Sequence, residues 1–412
     1  MAQIGRVATG DDGGATGSRE GKPFEVLSVF LRLGLTSFGG PVAHLGYFRN
    51  AFVVQRRWLD EQAFADLVAL CQFLPGPASS QVGFAIGLLR AGPLGGLAAW
   101  TGFTLPSAIA LTLFAYAEGA LTGPAGQGLL HGLKLVAVAI VAQAVLGMAR
   151  SLAPDGPRAT IATVAIGVMA FAPSGASQVA AIVFGALAGL FVCRQAGDLG
   201  AAPGETPLAR KAGFVCLAAF FVLLLLSFAP LGNATLAFLA AIYRSGALVF
   251  GGGHVVLPLL RTAVVAPGWV SDGAFLAGYG AAQAVPGPLF TFAAYLGAIA
   301  AASPGGALGA ALALVAIFAP GLLILMGALP FWRVLRLRPR ARAAMAGVNA
   351  AVVGLLASAL YDPVWTSAVG GPADFAVAAA GFAALVAWRA PPLIVVALTA
   401  AAGAALGVGG AR

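Results

Sequence analysis

Apolar positions in this chain fall in long blocks, and the charged positions collect between them. From about Phe24 onward the blocks recur near the roughly 20 residues that cross a bilayer as helix. Two of the early blocks are interrupted: Phe24 to Val54 is cut by Gly39-Gly40-Pro41, and Asp60 to Leu89 by Pro75-Gly76-Pro77. Each arm, about 15 residues or roughly 22 Å of helix, falls short of the roughly 30 Å hydrocarbon core. The pattern therefore predicts broken, re-entrant helical hairpins. A turn at that depth exposes backbone N–H groups, which is tolerable only beside protein, water or a ligand. Longer runs follow over Leu94–Ala117, Ala125–Met148, Ala159–Ala172 with its flanks, and Ala176–Val192.

The same design then returns. Phe250-Gly251-Gly252 repeats Phe38-Gly39-Gly40 at an offset of 212, and Gln283-Ala284-Val285-Pro286-Gly287-Pro288 repeats Gln72-Phe73-Leu74-Pro75-Gly76-Pro77 at 211. Arg32 and Gly34 recur as Arg244 and Gly246, and Trp58, Ala63 and Phe64 as Trp269, Ala274 and Phe275. Broken hairpins are predicted over Leu231–Ala266 and Ala274–Ala302. Full runs follow at Ala307–Leu329, Ala341–Leu360, Phe375–Trp388 and Pro392–Val408. Matches at a nearly constant offset mark an internal duplication.

One run, Ala212–Phe228, has no counterpart and decides the orientation of the copies. If each hairpin returns to its own side and each full run crosses once, the first copy crosses four times and the linker once. The second copy then starts on the opposite face. With the N-terminus inside, the inner loops hold Arg49, Arg56, Arg57, Arg90, Arg150, Arg158, Arg194, Arg210, Lys211 and Arg389, plus the block Arg333 to Arg342. The outer loops hold Glu118, Asp362 and Asp374, with Arg261 the main exception apart from the terminal Arg412. That asymmetry is the positive-inside pattern. The expected fold is an all-α polytopic membrane protein built as an inverted-topology tandem repeat, with broken hairpins at the FGG and PGP motifs. Its expected parts are a disordered cytoplasmic tail over 1–22, a first repeat over 23–211, a linking helix over 212–230 and a second repeat over 231–412.

Composition agrees with a bilayer as the main partner: 60% of the chain is hydrophobic and only 9% charged. The net charge of +9 sits between apolar runs, so it reads as membrane orientation and not as a nucleic-acid surface. Cys71, Cys193 and Cys216 lack metal or redox spacing and read as small packing residues. No cofactor or metal is expected.

The stretches SFGGPVAHL, VVQRRWLDEQAF and LPGPASSQ, then VFGGGHVVLPLL and GAAQAVPGPLFTFAAYLG, resemble the two halves of the long-chain chromate transporter family. The resemblance covers about residues 26 to 362, and the paired motifs are specific together. It implies a carrier in the bacterial inner membrane that exports chromate, a tetrahedral oxyanion close to sulfate in size and charge. The C-terminus would then be periplasmic. Many members carry an acidic residue soon after the first motif, whereas this chain has Arg49, Asn50 and Ala51.

A divalent oxyanion needs positive charge, hydrogen-bond donors and a site that lets it go. Arg32 and Arg244, at matching places six residues before FGG, offer guanidinium forks; the alternative is that each snorkels or pairs with Asp66 or Glu25. The turns supply backbone donors at Gly39, Gly40, Gly76, Gly251, Gly252 and Gly287, or else pack as small residues. Ser37, Ser79, Ser80 and Thr291 add neutral donors, and Gln72 and Gln283 can orient the turns. His44, Asp66, Lys134 and His254 are candidates for charge or proton coupling.

An enzyme is disfavoured by scattered carboxylates and by the lack of HExxH, GxSxG or a Walker loop. A sulfate or other oxyanion uptake carrier, and an anion channel built on the same hairpins, are alternatives that the sequence leaves open. A homodimer is compatible with it.

Overall fold

The computed structural model describes residues 21–38, 40–121, 123–172, 174–193, 209–250, 255–332 and 338–410. Among these every regular element is helical. Most of the expected tail, and Gly39, Gly251, Gly252 and His254, lie outside the described residues.

Both interrupted blocks of the first copy break where glycine and proline require it. Helix α1 (Pro23–Thr36) begins on a proline, whose missing N–H would have had no helical partner anyway. It stops before Ser37, and α2 (Gly40–Arg49) restarts at Gly40 with φ of 78°, then runs into a π turn over Asn50–Gln55. Helix α3 (Glu61–Phe73) is capped by the Asp60 carboxylate, which accepts from the Ala63 N–H at 2.7 Å. After a turn in which Gly76 takes φ of 120°, α4 (Ala78–Glu118) follows. It kinks at Ala91 and Gly92, where the dihedrals leave the helical region. That kink separates the hairpin arm from the spanning run expected from Leu94. Helices α5 (Gly123–Leu152), α6 (Gly156–Phe171) and α7 (Gly175–Val192) complete the copy, and α8 (Arg210–Leu226) forms the linking run.

The second copy repeats this order as α9 (Ala234–Ala247), α10 (Val256–Val264), α11 (Asp272–Ala282), a 3₁₀ turn over Leu289–Thr291 leading into α12 (Phe292–Ile299), and α13 (Gly306–Ala328). Helices α14 (Pro339–Ala359), α15 (Pro372–Val386) and α16 (Pro392–Gly410) follow. Ser271 caps α11 at 3.2 Å from the position matching Asp60, so both hairpins start by the same device. Among the described residues, four stretches are long and apolar enough to cross a membrane: α4, α5, Gly306–Phe331 and Pro339–Ala368. The runs expected as α6, α7, α15 and α16 form shorter helices of 16, 18, 15 and 19 residues.

The two copies interlock. The α5 helix of the first packs on α16 of the second, and α14 of the second packs on α7 of the first. In both pairs glycines let backbones touch: a Cβ on Gly132 would overlap the Thr399 carbonyl, and one on Gly189 the Ala343 carbonyl. Along the first pair Gly128 faces Gly403 while Gly132 faces Thr399, and along the second Gly189 faces Ala343 while Gly185 faces Gly347. Rising numbers on one helix meet falling numbers on the other, so both pairs are antiparallel. Each copy's last helix thus completes the other copy's core, where Val136, Val141, Val352 and Leu356 are buried.

Candidate functional site

The turn that closes each second hairpin meets the break in the other copy's first hairpin. The Gly287 N–H donates to the Ser37 carbonyl at 2.9 Å, and the Gly76 N–H donates to the Val249 carbonyl at 2.8 Å. Ser37 and Val249 occupy matching positions, as do the two glycines, so the bonds form a reciprocal pair between copies. Each glycine is held at positive φ, 120° at Gly76 and 100° at Gly287, where a Cβ is strained. Each also lies against the opposite copy's helix beside a proline in its interior. A Cβ on Gly76 would sit 2.9 Å from Gly321 Cα, and one on Gly287 2.9 Å from Ser107 Oγ. Gly321 follows Pro320, and Ser107 follows Pro106. The buried Gln81 side chain ties the first turn down, donating to the carbonyls of Pro75 at 2.9 Å and Gly321 at 2.8 Å.

Between the first FGG break and the second PGP turn lies a small cleft, of ≈ 60 Å³. Gly40 and Pro41 at the start of α2 line one side, Gln283, Val285 and Gly287 another, and Ile140 and Gln143 of α5 close it with Pro392. No carboxylate is among these residues. The N-terminus of α2 brings backbone donors and the positive end of a helix dipole to the cleft. Gln283 contributes a buried side-chain Nε2 that interacts with the Tyr279 hydroxyl one turn back but makes no hydrogen bond of good geometry among the described residues. Behind the break, His44 is buried with Nε2 3.2 Å from the Ser37 carbonyl and Nδ1 3.4 Å from Ser79 Oγ, its ring edge-on to Phe103. The hydroxyls of Ser37 and Ser80 are buried without partners among the described residues. Buried donors left unpaired are expensive in protein or hydrocarbon.

Of the residues singled out from sequence, the structure thus gathers Ser37, Gly40, His44, Ser79, Gln283 and Gly287 around one break and turn. Gly76 makes the mirror contact, and Ser80 is buried on α4. Thr291 is buried, but its hydroxyl is spent on the Pro288 carbonyl at 2.7 Å. Gln72 is exposed on α3, whereas Asp66 on the same helix is buried and accepts from Gln62 at 3.4 Å. The two arginines are not brought to one cavity. Arg32 is exposed beside the exposed Leu31 and Leu35. Arg244 donates to the Ser227 carbonyl at 2.7 Å, lies over the Phe228 ring, and lines a separate small cavity of ≈ 40 Å³ with Gln178, Ser245 and Thr262. Lys134 is half-buried on α5, near Gly273 of α11. Sequence reasoning passed over Gln143, Ser107 and Gln81. The only signal for Ser107 was its place after Pro106, matching Gly321 after Pro320.

A multi-pass helical membrane protein made of two interlocked repeats, with a donor-lined cleft where their broken segments cross, has the architecture of a transporter. The family described as chromate transporter matches residues 24–190 and again 236–404, one match per copy. The chromate transport protein of Pseudomonas aeruginosa is 30% identical over 392 residues, spanning 92% of this chain and 90% of that protein. That of Cupriavidus metallidurans is 27% identical, spanning 82% and 81%. An uncharacterized transporter of Methanocaldococcus jannaschii is 25% identical over 74% of the chain and 76% of its own length. No solved structure matches. This chain belongs to the chromate transporter family.

Proposed function

We propose that the protein is a secondary transporter that exports chromate, or a closely related tetrahedral oxyanion, across the bacterial inner membrane. The anion is held in the cleft between the first FGG break and the second PGP turn. The observation that carries this is the donor set there: the start of α2 and the Gln283 amide, which has only the Tyr279 hydroxyl beside it, with no carboxylate among the described lining residues. Neutral donors hold a dianion without a fixed counter-charge, which favours release as much as capture, and a carrier needs both. Chromate, as substrate and not as a resident group, comes from the family and from the names of the relatives.

The experiment is flux into vesicles of known orientation, with sulfate as competitor. Saturable chromate movement is expected, with sulfate competing. Conductance without saturation would make the protein a channel, and no oxyanion movement at all would overturn the reading.

The repeats are inverted in this reading, with the N-terminus cytoplasmic. Support comes from the antiparallel α5–α16 pair. If α5, α6 and α7 cross in turn, α5 and α7 are parallel, so α16, the counterpart of α7, points the other way. Cysteines at the exposed positions Arg340 and Ser367 are accordingly expected to label from opposite faces, Arg340→Cys from the cytoplasm and Ser367→Cys from outside. Labelling of Arg340→Cys from outside would end the inverted arrangement.

A further inference from the structure

One polar cluster lies away from the cleft, where α11, the helix leading to Gln283, packs on α4, α5 and α12. Tyr295 of α12 is fully buried, its ring stacked on Phe292 and lying flat on Gly278, where any Cβ would overlap it. Its hydroxyl meets two acceptors, the Ala274 carbonyl of α11 at 2.9 Å and the Glu118 carboxyl at the end of α4. Lys134 of α5 stands close enough to act on the charge of Glu118 and approaches Gly273 of α11. The other nearby charge on α11, Asp272, is engaged by Arg261 at 2.8 Å. On α4 itself Tyr116 faces Gly306.

The hydrogen count decides what this cluster does. A phenol has one hydrogen to donate. With Glu118 ionised, that hydrogen serves Glu118 or Ala274 and leaves the other acceptor short. With Glu118 protonated, its O–H donates to the Tyr295 oxygen while Tyr295 donates to Ala274, and every contact is satisfied. The mirror-related cluster has none of these groups. Its counterparts are Phe84 of the first copy, which packs on Gly96, with Trp332 and Asn349 of the second; Trp332 lies against Phe73, and the Asn349 Oδ1 is buried without a partner among the described residues.

We propose that Glu118 is a proton-binding site that latches the second copy's hairpin: protonated, it holds α11 shut through Tyr295 and Ala274, and its deprotonation releases α11, with Lys134 taking up the carboxylate charge. The cleft-lining Gln283 lies just beyond the end of α11, so the latch couples a proton to access. The inference rests on the transport reading for its purpose but not for its test.

The test uses the whole protein in membranes without substrate, its three cysteines replaced by alanine and a reporter placed at Ala277→Cys, buried on α11. Modification by a membrane-impermeant maleimide is normalised to an exposed Ser367→Cys control. Between pH 6 and 8 the normalised rate is expected to rise by about tenfold, the effect of losing roughly one net hydrogen bond. In Glu118→Gln, whose amide donates as the protonated acid does, the rate stays low at every pH. In Tyr295→Phe it is high at every pH. A flat unmodified protein, an unchanged pH rise in Glu118→Gln, or a Tyr295→Phe protein as closed as its parent at low pH would each overturn the latch. Absence of chromate flux would sink the transport reading and leave this assay standing.

Discussion

Gly76→Val and Gly287→Val are each expected to cut chromate flux by at least about 100-fold while the protein still inserts. The magnitude follows from two separate insults at one turn. A β-branched residue at φ of 120° or 100° is a conformational outlier costing on the order of 1–2 kcal/mol. Its side chain also has nowhere to go, because the Cβ alone would sit 2.9 Å from Gly321 Cα or from Ser107 Oγ. Overpacking of this kind costs about 1–3 kcal/mol more. The strain relaxes most easily by lifting the turn, and lifting it breaks the bond from Gly76 to Val249 or from Gly287 to Ser37. Those bonds join the two copies, so the loss falls on their register and not on insertion, which long helices such as α4, α5 and α14 drive. Gly147→Ala and Gly167→Ala, where an added Cβ meets nothing within 4 Å, serve as controls. Flux is measured against membrane-inserted protein. Near-normal flux in both valine variants would reduce the motifs to replaceable packing.

Much of this arrangement was legible before any coordinates. The offsets that pair Gly76 with Gly287 and Arg32 with Arg244 revealed the duplication. Glycine and proline at depth marked the breaks after α1 and α3, because glycine takes positive φ at little cost, as at Gly40 and Gly76, and proline cannot continue a helix. The kink at Ala91–Gly92 fell between two expected runs. What periodicity does not carry is which partner a turn meets. That Gly287 reaches Ser37, over 200 residues earlier, depends on how the copies interlock, and the interlocking is set by glycine contacts such as Gly132 on Thr399.

The arginines are a different case. In α1 the buried residues are Val26, Phe30 and Gly34, one per turn on one face. Arg32 lies two residues from Phe30 and from Gly34, which turns it to the far side of the helix. Its repeat position was informative about ancestry, while its helical phase, equally readable, pointed it away from the core. Arg244 sits on a helix buried more evenly, with Ala241, Ile242, Tyr243 and Ser245 all inside, so its half-buried position had no comparable signal. Glu118 drew little notice from sequence because its partner Tyr295 belongs to the other copy.

Gln283→Glu is expected to abolish chromate transport near neutral pH, with apparent affinity lowered by at least about 100-fold, and to recover as the medium is acidified. The Nε2 group of Gln283 is a buried donor that makes no hydrogen bond of good geometry among the described residues, only a looser contact with the Tyr279 hydroxyl, at the edge of a cleft otherwise lined by backbone, apolar groups and the Gln143 side chain. Replacing it by a carboxylate removes that donor and sets a negative charge against a divalent anion, where like charges in a poorly screened site repel by several kcal/mol. The sign of the pH effect follows. A free glutamate titrates near about 4.3, and burial favours its neutral form and raises that value. As pH falls through the raised value the side chain becomes a neutral donor of nearly the glutamine shape, so transport returns at low pH and is lost as pH rises. Gln283→Leu separates charge from donor: it lacks both, and its loss of affinity, about tenfold for one missing hydrogen bond to an ion, should not respond to pH. The measurement is initial chromate flux at several pH values, corrected for the profile of the unmodified protein. If Gln283→Glu transports normally at neutral pH, or its defect is no deeper than that of Gln283→Leu and equally blind to pH, the anion does not pass the Gln283 amide. The substrate path would then run elsewhere, with the Arg244 cavity the next place to look.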